Sequence, residues 1–593
     1  MKNWFFALFK THSPSLLRIT LLCSLFVSLS FGELSHPKIQ EMSEQKSSAE
    51  KTSSLLKNSS FKKSEETLKA NDIKVFSKEA LKDFLDPLIK KRMEAWDIPG
   101  MAVAVVYEDK VIYAKGFGVA KKGEKESYTP TTIQAIHSST KSFTAVLLLI
   151  LVEQGKLSLS DKVVDYLPHF QLSSKELTQN FTIEDLLTHT SGLRHFALDS
   201  VWALGFSAQD MMDKLPLLSV EHKKGDVYGY QNIFYGIAGK IIEKVCEKPF
   251  DQILQEMIFT PLGMNDATAN KEFIDTIHSP SSFAHMHQKV MGFFGRPKKV
   301  YAYPHTSIWD HKHQRIKTKA FSPYNHIFEF PATSGIHLTL NDMAKWAQML
   351  LSKGKGLLSP HSFERLTAWG VAVPIKKDTQ QFIQSRFQSL HYALGMFAGT
   401  FGEENEKTYI ITGGTSGARS VVGVLPEKKL AIVILSNFGG QASNRALEEI
   451  QYTFYDWALG LKALDYSSLI LEKTKKYYIK NNAQLEKSRQ NDPKPSKPLY
   501  MYEGTYDNPL YGKIHVKVRG ESLTFHHEKH YSWQANHWNG HTFRCQASDV
   551  TPHLSGTTPV LHQFLNMQSS GKPQYLWVNV FFEGDEALFK RVS

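Results

Sequence analysis

Cysteine is scarce in this chain: Cys23, Cys246 and Cys545 are the three in 593 residues. A disulfide framework needs paired cysteines and a thiolate zinc site needs them clustered, so both are excluded. Cys23 lacks the small residues that precede a lipidated cysteine, which argues against a lipoprotein. Membrane-length apolar runs are missing as well. The apolar segment near the start, Ile19 to Phe31, is 13 residues, short of the roughly 20 that a spanning helix needs. The formal net charge is +12, but the lysines and arginines spread along the chain without an aromatic-studded basic stripe. That argues against a nucleic-acid partner and leaves a mild attraction to anionic surfaces.

What is present begins with length. A chain of 593 residues with 42% hydrophobic content has enough apolar material for two or more cored domains. Residues 1–32, with Lys2, Lys10 and Arg18 ahead of the apolar run and a cleavage position after Gly32, Ser30 standing two before it, read as a secretory signal. The protein is therefore expected to be exported, periplasmic or secreted. The alternative is membrane or cell-envelope association through an uncleaved N-terminal segment. Residues 33–75 are rich in Ser, Lys and Glu, the composition of a disordered linker.

Folded structure is expected from residue 76. Ser77 can cap a helix carrying Leu81, Leu85, Leu88 and Trp96, with Pro87 as a kink, and Met101–Tyr107 and Val111–Lys115 read as a hairpin. Thr182-Ile-Glu-Asp185 is a capping box, and Asn232 to Cys246 is amphipathic at helical spacing. Strands return at Tyr409–Thr412, Arg419–Leu425 and Leu430–Ser436. Strands at both ends with helices between predict an α+β domain over 76–460, closed by the chain returning to its start. Residues 461–496 read as a charged linker, and 497–593 as a small antiparallel β-barrel-like domain, with Ile514, Val516 and Val518 alternating against His515 and Lys517. The stretch 271–330 reads as a basic, histidine-rich solvated loop. Its His285/His287 and His311/His313 pairs lack the carboxylate or cysteine partners of a metal site, so no metal and no cofactor is expected.

The chemistry concentrates at Ala135-Ile-His-Ser-Ser-Thr-Lys-Ser-Phe143, which opens an apolar run of helical length. Ser138 and Lys141 stand i and i+3, on one helix face, so hydroxyl and amine can meet. A serine needs an adjacent base to become a nucleophile. A lysine serves if burial lowers its pKa, and the root of a core helix is such a setting. The same spacing at Ser54/Lys57, Ser352/Lys355 or Ser569/Lys572 lies in polar segments or turns with no core to bury the amine.

Further stretches follow in order: Leu186-Leu-Thr-His189-Thr-Ser-Gly-Leu193, Tyr230-Gln-Asn232 and Thr412-Gly413-Gly414-Thr-Ser-Gly417. Together with Ser138 and Lys141 this set resembles the class C β-lactamase-like family of serine hydrolases, which includes penicillin-binding proteins, D-alanyl-D-alanine carboxypeptidases and esterases. Tyr502-Glu-Gly-Thr-Tyr506 and His537 to Phe543 resemble the small barrel appended to some members. The resemblance implies Ser138 as nucleophile and Lys141 as its proton acceptor. It implies Tyr230 as partner in the proton work, with a phenol that titrates near neutrality beside the ammonium. Asn232 and Gly413–Gly414 would hold substrate, the N–H groups of Ser138 and Gly414 forming an oxyanion hole. Asn232 could also cap its helix. His189 has the chemistry of a general base, but the resemblance implies that its stretch is a structural turn at the cleft. The implied substrate is a small peptide, amide or other acyl donor with D-amino-acid character, with β-lactam or ester hydrolysis as alternatives.

One position departs from the family. Where members carry a polar or cationic residue two places before the first glycine of the closing strand, this chain has Ile411. Ile411 is expected to border the cleft, with Arg419 the nearest cation in sequence. Loss of the polar group leaves a second class open, a fold retained for binding rather than catalysis.

Overall fold

The computed structural model describes residues 76–278, 299–310, 312–320, 326–374, 386–415, 417–440, 445–487, 489, 493–546, 550, 559–579 and 587–593. The signal and linker readings for 1–75, the His285/His287 pair, His311 and Ser416 lie outside these residues. The chain divides into two compact units, Met1–Pro87 and Leu88–Ser593. Of the first unit the described part is residues 76–87, where Ser77 Oγ accepts from the Ala80 N–H as helix α1 (Lys78–Trp96) begins.

The second unit contains an eight-stranded antiparallel sheet that gathers both ends of the hydrolase-like region. Its strands are β1 (Gly100–Tyr107), β2 (Lys110–Gly118), β3 (Val371–Ala372), β4 (Phe387–Tyr392), β5 (Phe397–Phe401), β6 (Glu406–Gly414), β7 (Arg419–Leu425) and β8 (Leu430–Ser436). The spatial order is β2-β1-β8-β7-β6-β5-β4-β3. β1 pairs with β8, Met101 opposite Ser436 and Tyr107 opposite Leu430, which is the expected return of the chain to its start. β7 and β8 are buried along their full length, as strands covered on both faces must be, so each reads as a near-continuous apolar run. β3, β4 and β5 were not expected. They are short, β4 alternates weakly, and Gly399 interrupts β5, where an added Cβ would lie 2.2 Å from the Ser389 carbonyl.

The helix Leu340–Leu351 lies against β1, β7 and β8 on one face of this sheet, and helix α2 (Thr140–Glu153), packed among the helices beside it, is buried from Thr140 to Leu151. A helix that is apolar all round has to be central. Phe143 stacks on Trp346 at 3.7 Å between ring centroids, and each such fully buried large side chain contributes about 1.5–3 kcal/mol. The opposite face carries helix α5 (Ala446–Ala458), whose Gln451 and Tyr455 crowd Gly423 of β7. Between them in the chain lie α3 (Asp199–Ala203) and α4 (Asn232–Cys246). The Thr182–Asp185 capping box forms as expected.

Two readings of the sequence need correction. Residues 461–496 are mostly helix α6 (Tyr466–Lys487), because Tyr466, Ile470, Leu471 and Tyr478 recur on one face and are buried, Tyr478 stacking on Trp309. The basic stretch after residue 270 includes a helix, Lys271–His278, and a hairpin, His305–Asp310 with Arg315–Ala320, in which Asp310 gathers His313 and Lys317.

From Gly504 to Arg591 eight strands close into an antiparallel barrel. Its interior is filled by Tyr502, Tyr506, Phe525, Trp533, Phe543 and Phe564, with the Trp533 indole donating to His562 Nε2 at 2.7 Å. Tyr506, whose sequence repeats the Tyr-x-Asn letters, is thus a barrel core residue. The barrel belongs to the same compact unit as the hydrolase-like region. One of its turns meets the segment after α3. Phe206 is 3% exposed, set edge-on to His527 and under the Lys529 amine, while Lys529 also pairs with Asp210 at 3.0 Å.

Candidate active site

Ser138 sits in a one-turn 3₁₀ segment, His137–Ser139, that runs directly into α2. The hydroxyl is therefore at the positive end of a long buried helix, which favours a developing alkoxide. His137 holds φ of 49°, a left-handed conformation costly for a residue with a Cβ, and its Nε2 lies 3.1 Å from Thr415 Oγ1 just beyond β6. The nucleophile turn is thus tied to the end of the closing strand. Gly413 shows how close the two are: a Cβ there would stand 1.9 Å from the Ile136 carbonyl oxygen and 2.8 Å from the Ser139 nitrogen.

Lys141 is 1% exposed. Its Nζ is 3.1 Å from Ser138 Oγ, 2.7 Å from Asn232 Oδ1 and 3.3 Å from the Thr333 carbonyl oxygen. Burial pulls its pKa from the usual lysine range down to about 7, although the Asp199 carboxylate acts in the opposite sense. An amine with that pKa is substantially neutral near pH 7 and can accept a proton.

Tyr230 comes from the strand-like segment before α4. His195 Nδ1 accepts from its backbone N–H at 3.0 Å and its carbonyl accepts from Phe196 N at 2.8 Å. Its ring lies 5.0 Å from Lys141 Nζ, and its hydroxyl is near enough to Ser138 to feel that side chain. The expectation that this phenol titrates near neutrality is not met. Burial, helped by the charge of Asp199, raises its pKa well above the ordinary tyrosine value, outweighing the lowering influence of Ser138. Tyr230 is a neutral hydroxyl that can donate or relay a proton. Asn232 opens α4 but does not cap it; the capping position is Gln231, which makes no side-chain cap bond. The Asn232 side chain turns inward, its Nδ2 donating to Asp199 Oδ2 at 2.6 Å.

Ser138, Lys141, Tyr230, Asn232 and the Gly413–Gly414 strand end therefore converge; the His189 stretch is structural, and the expectation for Ile411 does not hold. His189 is fully buried, its Nδ1 accepting from Gln231 N at 3.1 Å and its ring packed 4.3 Å from Tyr230 and 4.4 Å from Tyr392. Burial holds its pKa well below the usual histidine value, so it braces the Tyr230 segment and is not placed as a base for Ser138. Ile411 is 1% exposed and belongs to the core with Tyr409 and Val422, rather than lining an open cleft. Arg419 cannot replace the missing cation. It pairs across the strands with Gly414, one register step from the Gly413–Ser420 pair that faces the nucleophile turn, so it projects to the reverse side of the sheet and binds Glu448.

Residues not anticipated from the sequence include Asp199, the Thr333 carbonyl and the His137–Thr415 link. Asp199 had a signal, an acid alone among apolar residues in Phe196-Ala-Leu-Asp-Ser-Val-Trp202. The carbonyl had none, since a backbone atom carries no residue-type label. Among the described residues no group of three or more His, Cys, Asp or Glu side chains is placed to hold a metal.

Residues 85–453 match the family model described as Beta-lactamase, and residues 488–588 match a Domain of unknown function (DUF3471). Protein flp of Staphylococcus aureus (strain MW2) is 30% identical over 186 residues, 31% of this chain and 37% of that protein, so the match spans little more than a third of that relative. Unguisins hydrolase ungD' of Aspergillus campestris (strain IBT 28561) is 26% identical over 452 residues, 73% of this chain and 77% of that protein. In fold, the chain is similar to the octameric penicillin-binding protein homologue from Pyrococcus abyssi, with a TM-score of 0.52 at 22% identity, covering 83% of this chain and 97% of that one. With the family model spanning the whole sheet-and-helix region that carries Ser138 and Lys141, the chain belongs to the beta-lactamase family of serine hydrolases.

Proposed function

We propose that the protein hydrolyses small acyl donors through a covalent acyl-enzyme on Ser138. The observation that carries this reading is the Lys141 amine, buried, lowered to about 7 and 3.1 Å from the serine hydroxyl. In the first step the Ser138 proton passes to neutral Lys141 as Oγ attacks the acyl carbon. The backbone N–H groups of Ser138 and Gly414 stabilise the oxyanion. As the tetrahedral intermediate collapses, the proton returns through the Tyr230 hydroxyl to the leaving group. Water then attacks the ester and the same groups run in reverse to release the acid.

The side chains around the serine support a reading of the substrate class. Asn232, bonded through Oδ1 to Lys141 and through one N–H to Asp199, keeps its second N–H for a peptide-like acyl group, which suits D-amino-acid peptides, amides and related esters. Ile411 offers no hydrogen bond, and Arg419 is engaged with Glu448, so a free substrate carboxylate finds no charge-assisted partner on the closing strand. Neutral esters and amidated peptides are favoured over penicillin-like acids. A relative named as a hydrolase supports hydrolysis as the outcome. The N-terminal segment supports action outside the cytoplasm. Incubation with a panel of acyl donors, followed by mass spectrometry, should give an adduct on Ser138 that Ser138→Ala abolishes. An adduct elsewhere, or labelling that survives the substitution, overturns the assignment.

A further inference from the structure

We propose that Asp199 is a positioning residue for acyl transfer, its carboxylate turning the Asn232 amide so that the amide oxygen, and not the NH2 group, meets Lys141. This rests on the reading of Ser138 as nucleophile and Lys141 as its base.

The argument is a count of donors and acceptors around one nitrogen. A neutral amine has two N–H groups and one lone pair. Lys141 Nζ has three neighbours within hydrogen-bond distance: Asn232 Oδ1, the Thr333 carbonyl oxygen and Ser138 Oγ. The first two oxygens can only accept, so they take both N–H groups, and the lone pair is left facing the serine hydroxyl. Turning the Asn232 amide over would bring its NH2 group to Nζ. That group would compete with Ser138 for the lone pair and leave one amine N–H without an acceptor. Burial raises the Asp199 pKa to about 7, against the opposing effects of its hydrogen bond with Asn232 and of Lys141. In its ionised form, held at and above neutral pH, the carboxylate is acceptor-only, so Asp199 Oδ2, 2.6 Å from Asn232 Nδ2, disfavours the turned-over state.

The backbone supports the same conclusion. Phe196 and Leu198, just before Asp199, hold φ of 61° and 65°, conformations that bulky residues avoid and that the surrounding structure must impose. The Phe196 N–H donates to the Tyr230 carbonyl and the Asp199 N–H to the Phe196 carbonyl, while His195 accepts from the Tyr230 N–H. Asp199 is thereby laced to the segment that carries both Tyr230 and Asn232.

Charge gives the test a readout that mere structural support would not move. The titratable groups facing Lys141 are Asp199, the Tyr230 and Tyr235 rings at 5.0 and 5.5 Å, and His189, with His137 beyond them. Burial raises both phenols and lowers both imidazoles, so all four are neutral around pH 7. Asp199, whose own pKa burial raises to about 7, carries the negative charge that keeps the lysine pKa from falling further. Removing its charge lowers the Lys141 pKa, and the acid limb of the acylation rate moves to lower pH.

The experiment measures the rate of Ser138 labelling by a fluorophosphonate probe across pH in the full-length protein, with Ser138→Ala as the blank. Asp199→Ala should lower the plateau rate roughly 100-fold, the scale of a misplaced reacting group, and shift the acid limb downward. Asp199→Asn retains an acceptor oxygen, so it should lose less rate yet show the same shift. A folded Asp199→Ala protein with a plateau rate within about threefold of wild type overturns the proposal. An unmoved acid limb in Asp199→Asn does so too, and that variant decides alone if the alanine variant does not fold. Failure of the wild type to label at Ser138 is a separate result that removes the underlying reading and this proposal with it.

Discussion

Replacing Gly413 with alanine tests the spacing on which the catalytic arrangement depends. The new methyl group would stand 1.9 Å from the Ile136 carbonyl oxygen, 2.7 Å from Ser420 Oγ and 2.8 Å from the Ser139 nitrogen. The first distance is about 1.5 Å short of the 3.4 Å at which ordinary contact begins, and two of the three obstacles are backbone atoms that cannot rotate away. Either β6 or the nucleophile turn must move, and overpacking of this kind costs about 1–3 kcal/mol. The movement separates Ser138 from the Gly414 N–H, and a displacement near 1 Å lowers the acylation rate roughly 100-fold. Gly414→Ala provides the contrast. Its methyl group would meet the Arg419 side chain at 2.5 Å on the reverse face of the sheet, so it strains the Arg419–Glu448 pair more than the serine turn. Stopped-flow hydrolysis of a chromogenic ester, alongside thermal unfolding, separates rate from stability. A folded Gly413→Ala protein that acylates within about threefold of wild type would refute the argument, because the strand and turn would then tolerate separation.

Activity should rise with pH through about 7, because Lys141 works deprotonated and its pKa lies there; Lys141→Ala should cost about 10²–10⁴-fold and lose that limb, read from the pH dependence of kcat/KM. Ile411→Lys should act mainly on stability by placing an ammonium in a site 1% exposed, lowering the free energy of unfolding by several kcal/mol in a urea titration. Arg419→Ala should destabilise by about 3–5 kcal/mol, leaving Glu448 without its guanidinium, while the kcat/KM ratio of a matched acid and amide substrate stays unchanged. A selective loss on the acid would return Arg419 to the substrate site.

The residue sequence carried whatever could be expressed as local pattern. Ser138 and Lys141 were legible because i and i+3 share a helix face and the following run is apolar on every side. The return of β8 to β1 was legible because both are strong β runs at opposite ends of a helical middle. The barrel was visible in the alternation of Ile514, Val516 and Val518. Helix α6 was obscured because its buried positions are sparse among lysines, and β4 and β5 because they are short and interrupted by Gly399. What only the tertiary structure decided depends on the distance between residues far apart in sequence. Burial is a property of the assembled core, so it alone could lower Lys141 and raise Tyr230, which separates the base from the proton relay. Strand register put Ile411 in the core and sent Arg419 to the reverse face. The Asp199–Asn232–Lys141 chain joins three separate segments by hydrogen bonds of 2.6 and 2.7 Å, and no periodicity within any one of them predicts that they meet.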